Sequence, residues 1–571
     1  FVGLDFENGM SLVQAVHAPP SKFEAVPVSG VYTLHSPIQP VFTLIPARDV
    51  WQGVRAWHDL NGLQAAPAVE RLAGRFVFDV WGGRYGDAGD ALKQAFRYGL
   101  THSVLVWHNW QRWGYDYRLP HIFPPNPDFG TPVEFARLAE LCLEQGVIFA
   151  PHDNYIDYYP DAPGFSYDHI GFNRDRQPIW GWLNEGRQSQ AYRWRAESYG
   201  PFIEANVKAL RDLAKPNGYF IDVWSSIGPY ESWTRDGQFE DRLKHRDAWA
   251  RAFNWIRETL GDNAPQISES GHDQLIGSLD GAQTNHLRVD TPTDTMSWMV
   301  WNIHCADAER IPWTDTAHHD RFVLHGAGYE NRYLGGLPVE LHGIYSDDYI
   351  ATEVLTGHPG MSKAIFNRDV VRKYWFLNDL MTRLALKRIE SVSFEGDDIH
   401  RQQVNWEGGG RVWVNRGLSD WQAGPHLLPQ YGFYAESADA ACAIERKEGR
   451  LVEWSKSSDS WYVNARRVVP APLPVSVTAA SVDLTEGRAY EVPLQWTASG
   501  PVPEDLSVYV HFLDKDGKIL FQADHRPEPP TSQWKGGVVT IGRGRIPDAC
   551  QPGDEFTLTT GLWKPGEARR S

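Results

Sequence analysis

Two short segments join an apolar run to a carboxylate: Gly218-Tyr219-Phe220-Ile221-Asp222-Val223-Trp224 and Pro265-Gln266-Ile267-Ser268-Glu269-Ser270-Gly271. Glycosidic bonds are commonly cleaved by two carboxyl groups facing each other across the anomeric carbon, one serving as nucleophile or base and the other as acid. Asp222 and Glu269 are therefore the leading catalytic candidates, with Asp273 as a nearby substitute for Glu269. Between them Leu243, Ala248, Trp249, Ala252, Phe253, Trp255, Ile256 and Leu260 follow a helical period that Gly261 ends. A strand, a helix and a second strand predict parallel neighbours, with both carboxylates at the same C-terminal edge.

The aromatic content points the same way. The chain holds 25 tryptophans, 23 tyrosines and 25 phenylalanines, and many of the tryptophans fall at predicted strand ends or in loops. A flat apolar ring covers the C–H face of a sugar while Asp, Asn and His take its hydroxyls. Trp81, Trp107, Trp110, Trp224 and Trp233 fall where loops above a barrel are expected, and Asp79, His108, Tyr155, Asp157, His272 and Asp348 lie near strand ends. Of these, Trp224, Tyr155, His108 and His272 are read as sugar contacts.

The elements that must position these residues repeat along the chain. Apolar segments at Phe76–Trp81, Ser103–Trp107, Val147–Pro151, Tyr219–Val223, Gln266–Glu269, His286–Val289, Phe322–Leu324 and Leu341–Tyr345 predict eight strands. Helical periodicity fills gaps between them: Phe135, Leu138, Leu141 and Cys142 form one stripe, and Ile203, Val207, Leu210 and Leu213 another, closed by Pro216 and Gly218. The expected fold is a multidomain α/β plus β protein, a (β/α)₈ TIM-type barrel flanked by β-sandwiches. The expected divisions are a partial N-terminal sandwich over 1–65, the catalytic barrel over 66–390, a second sandwich over 391–468 and an immunoglobulin-like sandwich over 475–571. The stretch Val469-Pro470-Ala471-Pro472-Leu473-Pro474 reads as a linker, and Val508–Leu513 with Ile519–Phe521 reads as a hairpin.

Charge narrows the partner. With 55 basic and 72 acidic residues the net charge is −17, a poor match for nucleic acid or an anionic membrane surface. No apolar run is long enough to cross a bilayer. The expected partner is a neutral oligosaccharide or a glycoprotein glycan. Neither a metal nor a cofactor is expected: the four cysteines, Cys142, Cys305, Cys442 and Cys550, lack metal-type spacing, and Asp514 with Asp516 reads as a plain hairpin turn. Phe1 opens on β-like sequence, as in a processed or partial chain, and an extracellular or periplasmic setting is expected over a cytoplasmic one.

The segment Phe149-Ala150-Pro151-His152-Asp153-Asn154-Tyr155, the pair Trp180-Gly181-Trp182, Phe220-Ile221-Asp222 and Ser268-Glu269-Ser270-Gly271 together resemble, in this order, endo-α-N-acetylgalactosaminidases and the related exo-acting α-N-acetylgalactosaminidases. The resemblance spans residues 70 to 350. It implies a retaining glycoside hydrolase with Asp222 as nucleophile and Glu269 as acid/base. It further implies that His152 and Asp153 hold sugar hydroxyls and that Trp180 and Trp182 form an aromatic lid. Two other readings stand beside it: an α-galactosidase or α-glucosidase relative acting on another neutral α-glycan, and an inactive glycan-binding protein.

Overall fold

The structure is a computed structural model that describes residues 1–18, 22–26, 31–36, 38–39, 41–284, 288–289, 304–305, 310–328, 339–466, 473–479, 481–502, 504–515 and 517–564. It divides into two units, Phe1–Arg467 and Val468–Ser571.

The first unit is built on eight parallel strands: β1 (Phe76–Val80), β2 (Ser103–Trp107), β3 (Ile148–Asp153), β4 (Tyr219–Ile221), β5 (Gln266–Ser270), β6 (Gly281–Thr284), β7 (Val323–His325) and β8 (Met361–Ser362). They are hydrogen-bonded in chain order, and β8 returns to pair with β1. Between β7 and β8 the Gly326 N–H donates to the Pro359 carbonyl at 2.9 Å, so the TIM-type barrel is nearly closed. Helices α1 (Tyr85–Arg97), α2 (Pro132–Glu144), α3 (Gly200–Ala214) and α4 (Arg242–Leu260) follow β1 to β4. The expected stripes face the wall: Phe135, Leu138, Leu141 and Cys142 are buried on α2, and Ile203, Val207 and Leu210 on α3. Thr131 and Glu134 form a reciprocal capping box on α2, and Gly261 ends α4.

Side-chain alternation divides the barrel wall into two apolar layers. Val77, Val104, Val106, Ile148, Ala150, Phe220, Ile267, Val323 and Met361 fill the inside. Phe76, Phe78, Leu105, Trp107, Phe149, Tyr219, Ile221, Ala282 and Leu324 face outward into the shell packed by the helices.

Two expected strands are corrected. The sixth is not His286–Val289 but Gly281–Thr284; His286 and Leu287 lie outside the described residues, and Arg288–Val289 pairs with His304–Cys305 instead. Gly281 escaped notice because it has no side chain to signal a strand, and a Cβ there would lie 2.4 Å from the Val323 carbonyl oxygen. The eighth is not Leu341–Tyr345: Val339–His342 is helical, Ile344 packs into the inner core, and the two-residue Met361–Ser362 takes the place. Two residues are too few for any periodicity to register.

Helices α5 (Asp347–Thr356) and α6 (Arg368–Leu384) share a core with a nine-stranded antiparallel sheet running from Ile389 to Ala465. Before the barrel lie a three-stranded antiparallel sheet (Val2–Asp5, Ser11–Val16, Phe42–Ala47), a separate hairpin (Lys22–Val26 with Val31–His35) and the helix Val50–Leu60. Val469 to Pro472 of the expected linker lie outside the described residues. The second unit has a four-stranded and a three-stranded antiparallel sheet around Tyr490, Val492, Leu494, Trp496, Val508, Val510 and Phe512. Its expected hairpin is present as Ser507–Leu513 paired with Ile519–Gln522, while Asp516 lies outside the described residues.

Candidate active site

The inner alternation that packs the barrel core continues upward into polar side chains. Two residues beyond the inward Val77, Val106, Ala150, Phe220, Ile267, Gly281, Val323 and Met361 come Asp79, His108, His152, Asp222, Glu269, Gln283, His325 and Lys363. One titratable or amide side chain from each strand thus rims the C-terminal mouth, where barrels of this kind carry their sites.

Asp222 and Glu269 occupy adjacent places in this ring. Ile221 pairs with Ser268, which sets the two carboxylate-bearing residues level on neighbouring strands about 4.8 Å apart. Each is followed by a tight three-residue turn: the Trp224 N–H returns to the Asp222 carbonyl at 2.8 Å and the Gly271 N–H to the Glu269 carbonyl at 2.8 Å. The central residues, Val223 (φ 66°) and Ser270 (φ 63°), are left-handed, which is costly above all for a β-branched side chain. Ser225 binds the two turns together: its hydroxyl donates to the Glu269 carbonyl at 2.5 Å, and its N–H reaches Ser268 Oγ at 3.3 Å. The chain bends sharply to aim each carboxylate, and a shared serine fixes one bend against the other.

On the β1 to β3 side the polar groups bind one another. Asp79 Oδ1 lies 2.6 Å from His108 Nε2, His108 Nδ1 lies 3.0 Å from His152 Nδ1, and His152 Nε2 lies 2.9 Å from Asp116 Oδ1. Asn154 Nδ2 then donates to the other Asp116 oxygen at 2.7 Å. Three contacts among four groups require three protons, so with both carboxylates ionised the two imidazoles together carry one positive charge. Burial favours the neutral form of His152 and outweighs the opposing pull of Asp116. Burial pushes the Asp79 carboxyl up, but His108 and the Trp81 indole N–H, which donates at 2.8 Å, hold it below the ordinary aspartate value.

An aromatic arc covers this network. Trp81 stacks on His108 with ring centres 4.4 Å apart, Tyr115 lies 5.1 Å from Trp81, and Trp182 meets Tyr115 edge-on at 6.4 Å. The Tyr115 hydroxyl donates to Asp222 Oδ2 at 3.2 Å. Trp180 and Trp182 lie on the strand Trp180–Asn184, whose register shifts between Trp180 and Leu183, and are 69% and 46% exposed. The Trp182 N–H donates to Asp157 at 2.7 Å, which anchors this hairpin to the loop after β3. Burial pushes Asp157 up to about 6 against that donor.

The structure thus brings Asp222, Glu269, His152 and His108 to one mouth, with Trp182 at its rim. It places four other expected contacts elsewhere. Asp153 follows the inward His152 and points outward, accepting the Tyr219 hydroxyl at 2.8 Å; burial pushes its pKa up to about 7. Tyr155 accepts from Asn206 behind the wall, and Trp224 is fully buried and stacked on Trp249. His272 lies 2.9 Å from the Ile227 carbonyl and caps a short turn. Asp273, the substitute for Glu269, sits in that turn; burial raises its carboxyl, but His318, the positive amino terminus and Gln274 together outweigh this and hold it below the usual range. Asp348 is enclosed by Arg310, Arg416 and His342. Sequence reasoning did not single out Tyr115, Asp116, Ser225, Gln283 or His325. Tyr115 and Asp116 sit in the long segment between β2 and α2, which has no periodicity to mark them.

One atom each from Asp116, His152 and Asp222 lie within 4.8 Å of one another, so these residues could hold a small cation. A cation there would have to displace the His152 to Asp116 contact and would engage the Asp222 carboxylate.

No family model and no curated protein matches this chain. Among solved structures it is similar to the α-N-acetylgalactosaminidase NagBb from Bifidobacterium bifidum. The ligand-free form is 16% identical with a TM-score of 0.57, and the GalNAc complex is 18% identical with a TM-score of 0.56; each match covers 72% of both chains. A weaker likeness, 12% identical with a TM-score of 0.48, covers 81% of this chain and 72% of the cycloalternan-degrading enzyme from Trueperella pyogenes. At these identities the likeness concerns the fold, a TIM-type barrel with antiparallel β domains.

Proposed function

We propose that this protein is a retaining glycoside hydrolase acting on α-linked N-acetylgalactosamine-type glycans by double displacement, with Asp222 as nucleophile and Glu269 as acid/base. The observation that carries the proposal is the pair itself: two inward carboxylates, level on adjacent strand ends, each aimed by its own left-handed turn. Retention calls for carboxyl groups about 5 to 5.5 Å apart, a spacing that suits neighbouring strands. Asp222 attacks the anomeric carbon while Glu269 protonates the departing oxygen; Glu269 then deprotonates the water that releases the sugar. The Tyr115 hydroxyl donates to the Asp222 carboxylate and orients it.

The aromatic arc suits the apolar face of a neutral sugar, and the NagBb likeness, though it concerns the fold, makes an N-acetylgalactosaminide the first substrate to try. The test is anomer-resolved hydrolysis followed by proton NMR. The substrates are aryl α-glycosides of N-acetylgalactosamine and of galactosyl-β-1,3-N-acetylgalactosamine, with Asp222→Ala as control. An α product appearing first and lost in the control supports the reading, and the preferred substrate separates exo from endo action. Aryl α-galactosides and α-glucosides in the same panel test the nearest alternative. The Asp116, His152 and Asp222 cluster favours a second reading, metal-assisted hydrolysis. Activity abolished by a chelator and restored by a divalent cation would replace the double-displacement reading with it.

A further inference from the structure

Gln283 and His325 hold buried polar atoms that have no hydrogen-bond partner among the described residues. Both residues are buried, 0% and 1% exposed, and they pair directly across β6 and β7, next to Glu269 on β5. The Gln283 amide nitrogen donates to the Met361 sulfur at 3.2 Å, and its buried carbonyl oxygen has no hydrogen-bond partner among the described residues. Neither ring nitrogen of His325 has one. Burial holds His325 down to about 3, so its imidazole is neutral and offers one donor and one acceptor. Buried polar groups are ordinarily paired, and leaving them unpaired is costly. Such atoms side by side, next to Glu269, mark a place where a ligand can supply partners, and one hydroxyl would serve two of the three, Gln283 Oε1 and one ring nitrogen of His325.

We propose that Gln283 and His325 together bind one hydroxyl of the sugar whose bond is cleaved, the hydroxyl donating to Gln283 Oε1 and accepting from the imidazole N–H of His325. The inference rests on the glycosidase reading and names a specificity-determining pair within it. Two side chains from opposed positions on neighbouring strands, about 4.8 Å apart at the backbone, converge on a single atom that both donates and accepts. A hydroxyl oxygen is such an atom. A secondary amide presents its N–H and carbonyl on opposite edges and cannot satisfy both from one side. An anionic substituent would meet the lone pairs of the Gln283 carbonyl and the neighbouring Glu269.

Sites built to hydrogen-bond a substrate hydroxyl reject the analogue lacking it by about 10⁴ to 10⁵-fold, because their own buried groups are then stranded. The test compares kcat/KM for an aryl α-N-acetylgalactosaminide and its 3-, 4- and 6-deoxy analogues, and for an aryl α-galactoside and its 2-deoxy analogue. Each is measured in the wild-type protein, Gln283→Leu and His325→Phe, with thermal unfolding of every variant to confirm folding. One deoxy analogue is expected to fall by about 10³-fold or more in the wild type, yet by less than about tenfold in Gln283→Leu, whose activity on the parent is already low. Equal deoxy ratios in the wild type and Gln283→Leu, with the parent still hydrolysed, would overturn this inference while the glycosidase reading survives. If folded wild-type protein hydrolyses no parent glycoside, both fall together. Should His325→Phe fail to fold, the Gln283→Leu comparison decides alone.

Discussion

The two sides of the barrel mouth treat their polar groups in opposite ways. Over β1 to β3, Asp79, His108, His152 and Asp116 spend their hydrogen bonds on one another, and Trp81 and Asn154 complete the set. Over β6 and β7, Gln283 and His325 leave three buried polar atoms without partners among the described residues. The first side is finished before any ligand arrives and presents a rigid charge pattern to Asp222. The second is incomplete alone. A rigid side can orient the nucleophile, whereas an unpaired side can discriminate among ligands by what it loses when a partner is missing.

The comparison can be tested hardest where the two sides meet. Asp222→Ala is expected to lower kcat by on the order of 10⁴ to 10⁶-fold with the fold intact, as for removal of a covalent nucleophile. Turnover within tenfold of wild type would place the nucleophile elsewhere in the ring. Glu269→Gln should cost about 10² to 10⁴-fold on substrates with poor leaving groups and clearly less on activated aryl glycosides, which need little protonation. Equal losses on both would remove Glu269 from the acid role.

His325 tests the unpaired side without reference to activity. Its folded pKa, about 3, lies below the ordinary value of 6.5, so the folded state holds fewer protons than the unfolded one between those limits. Stability is therefore fully present above pH 6.5 and falls as pH drops toward 3. Between pH 6.5 and 5 the wild type should lose about 2 kcal/mol relative to His325→Gln, measured by urea unfolding. Parallel pH curves for the two proteins would show that burial does not hold His325 neutral.

Asp79→Asn breaks the bonded side by exchanging a charged acceptor for a neutral one, at an expected cost of about 1 to 2 kcal/mol near neutral pH. Because His108 and Trp81 hold the Asp79 carboxyl low, that contribution exists above the ordinary aspartate range and disappears as pH falls through the folded value. The two unfolding curves should converge in acid; a gap that persists there would count against an ionised Asp79. The smallest effect is expected from Trp182→Ala at the rim, a rise in KM of about 3 to 10-fold with kcat little changed, from loss of ring contact with the sugar. A fall in kcat instead would give Trp182 a role at the reacting centre.

Much of the barrel was legible because a buried strand in a parallel sheet must be apolar on both faces. β1 to β5 and β7 announced themselves in this way, as did the stripes of α2, α3 and α4. β6 and β8 did not: Gly281-Ala282-Gln283-Thr284 carries too little apolar bulk, and Met361–Ser362 is too short. Asp222 and His108 could be found because each directly follows an apolar run, Glu269 because it ends the next strand segment, and His152 through the resembling segment Phe149–Tyr155. Tyr115 and Asp116 could not, since their place beside Asp222 and His152 depends on the path of a long loop.

His152 and Asp153 show where the boundary lies. As neighbours they share every local signal, but alternation along β3 turns His152 into the mouth and Asp153 outward against Tyr219. The same holds for Trp182, at the rim, and Trp224, stacked in the shell on Trp249. Residue types and their order along the chain were enough to indicate a barrel, a carboxylate pair and an aromatic, sugar-suited surface, because apolar period and strand-end chemistry are local properties. Which of two adjacent side chains enters the mouth, which groups pair with each other and which are left for a ligand were decided only by the closed sheet, because strand phase and register place residues far apart in sequence against one another.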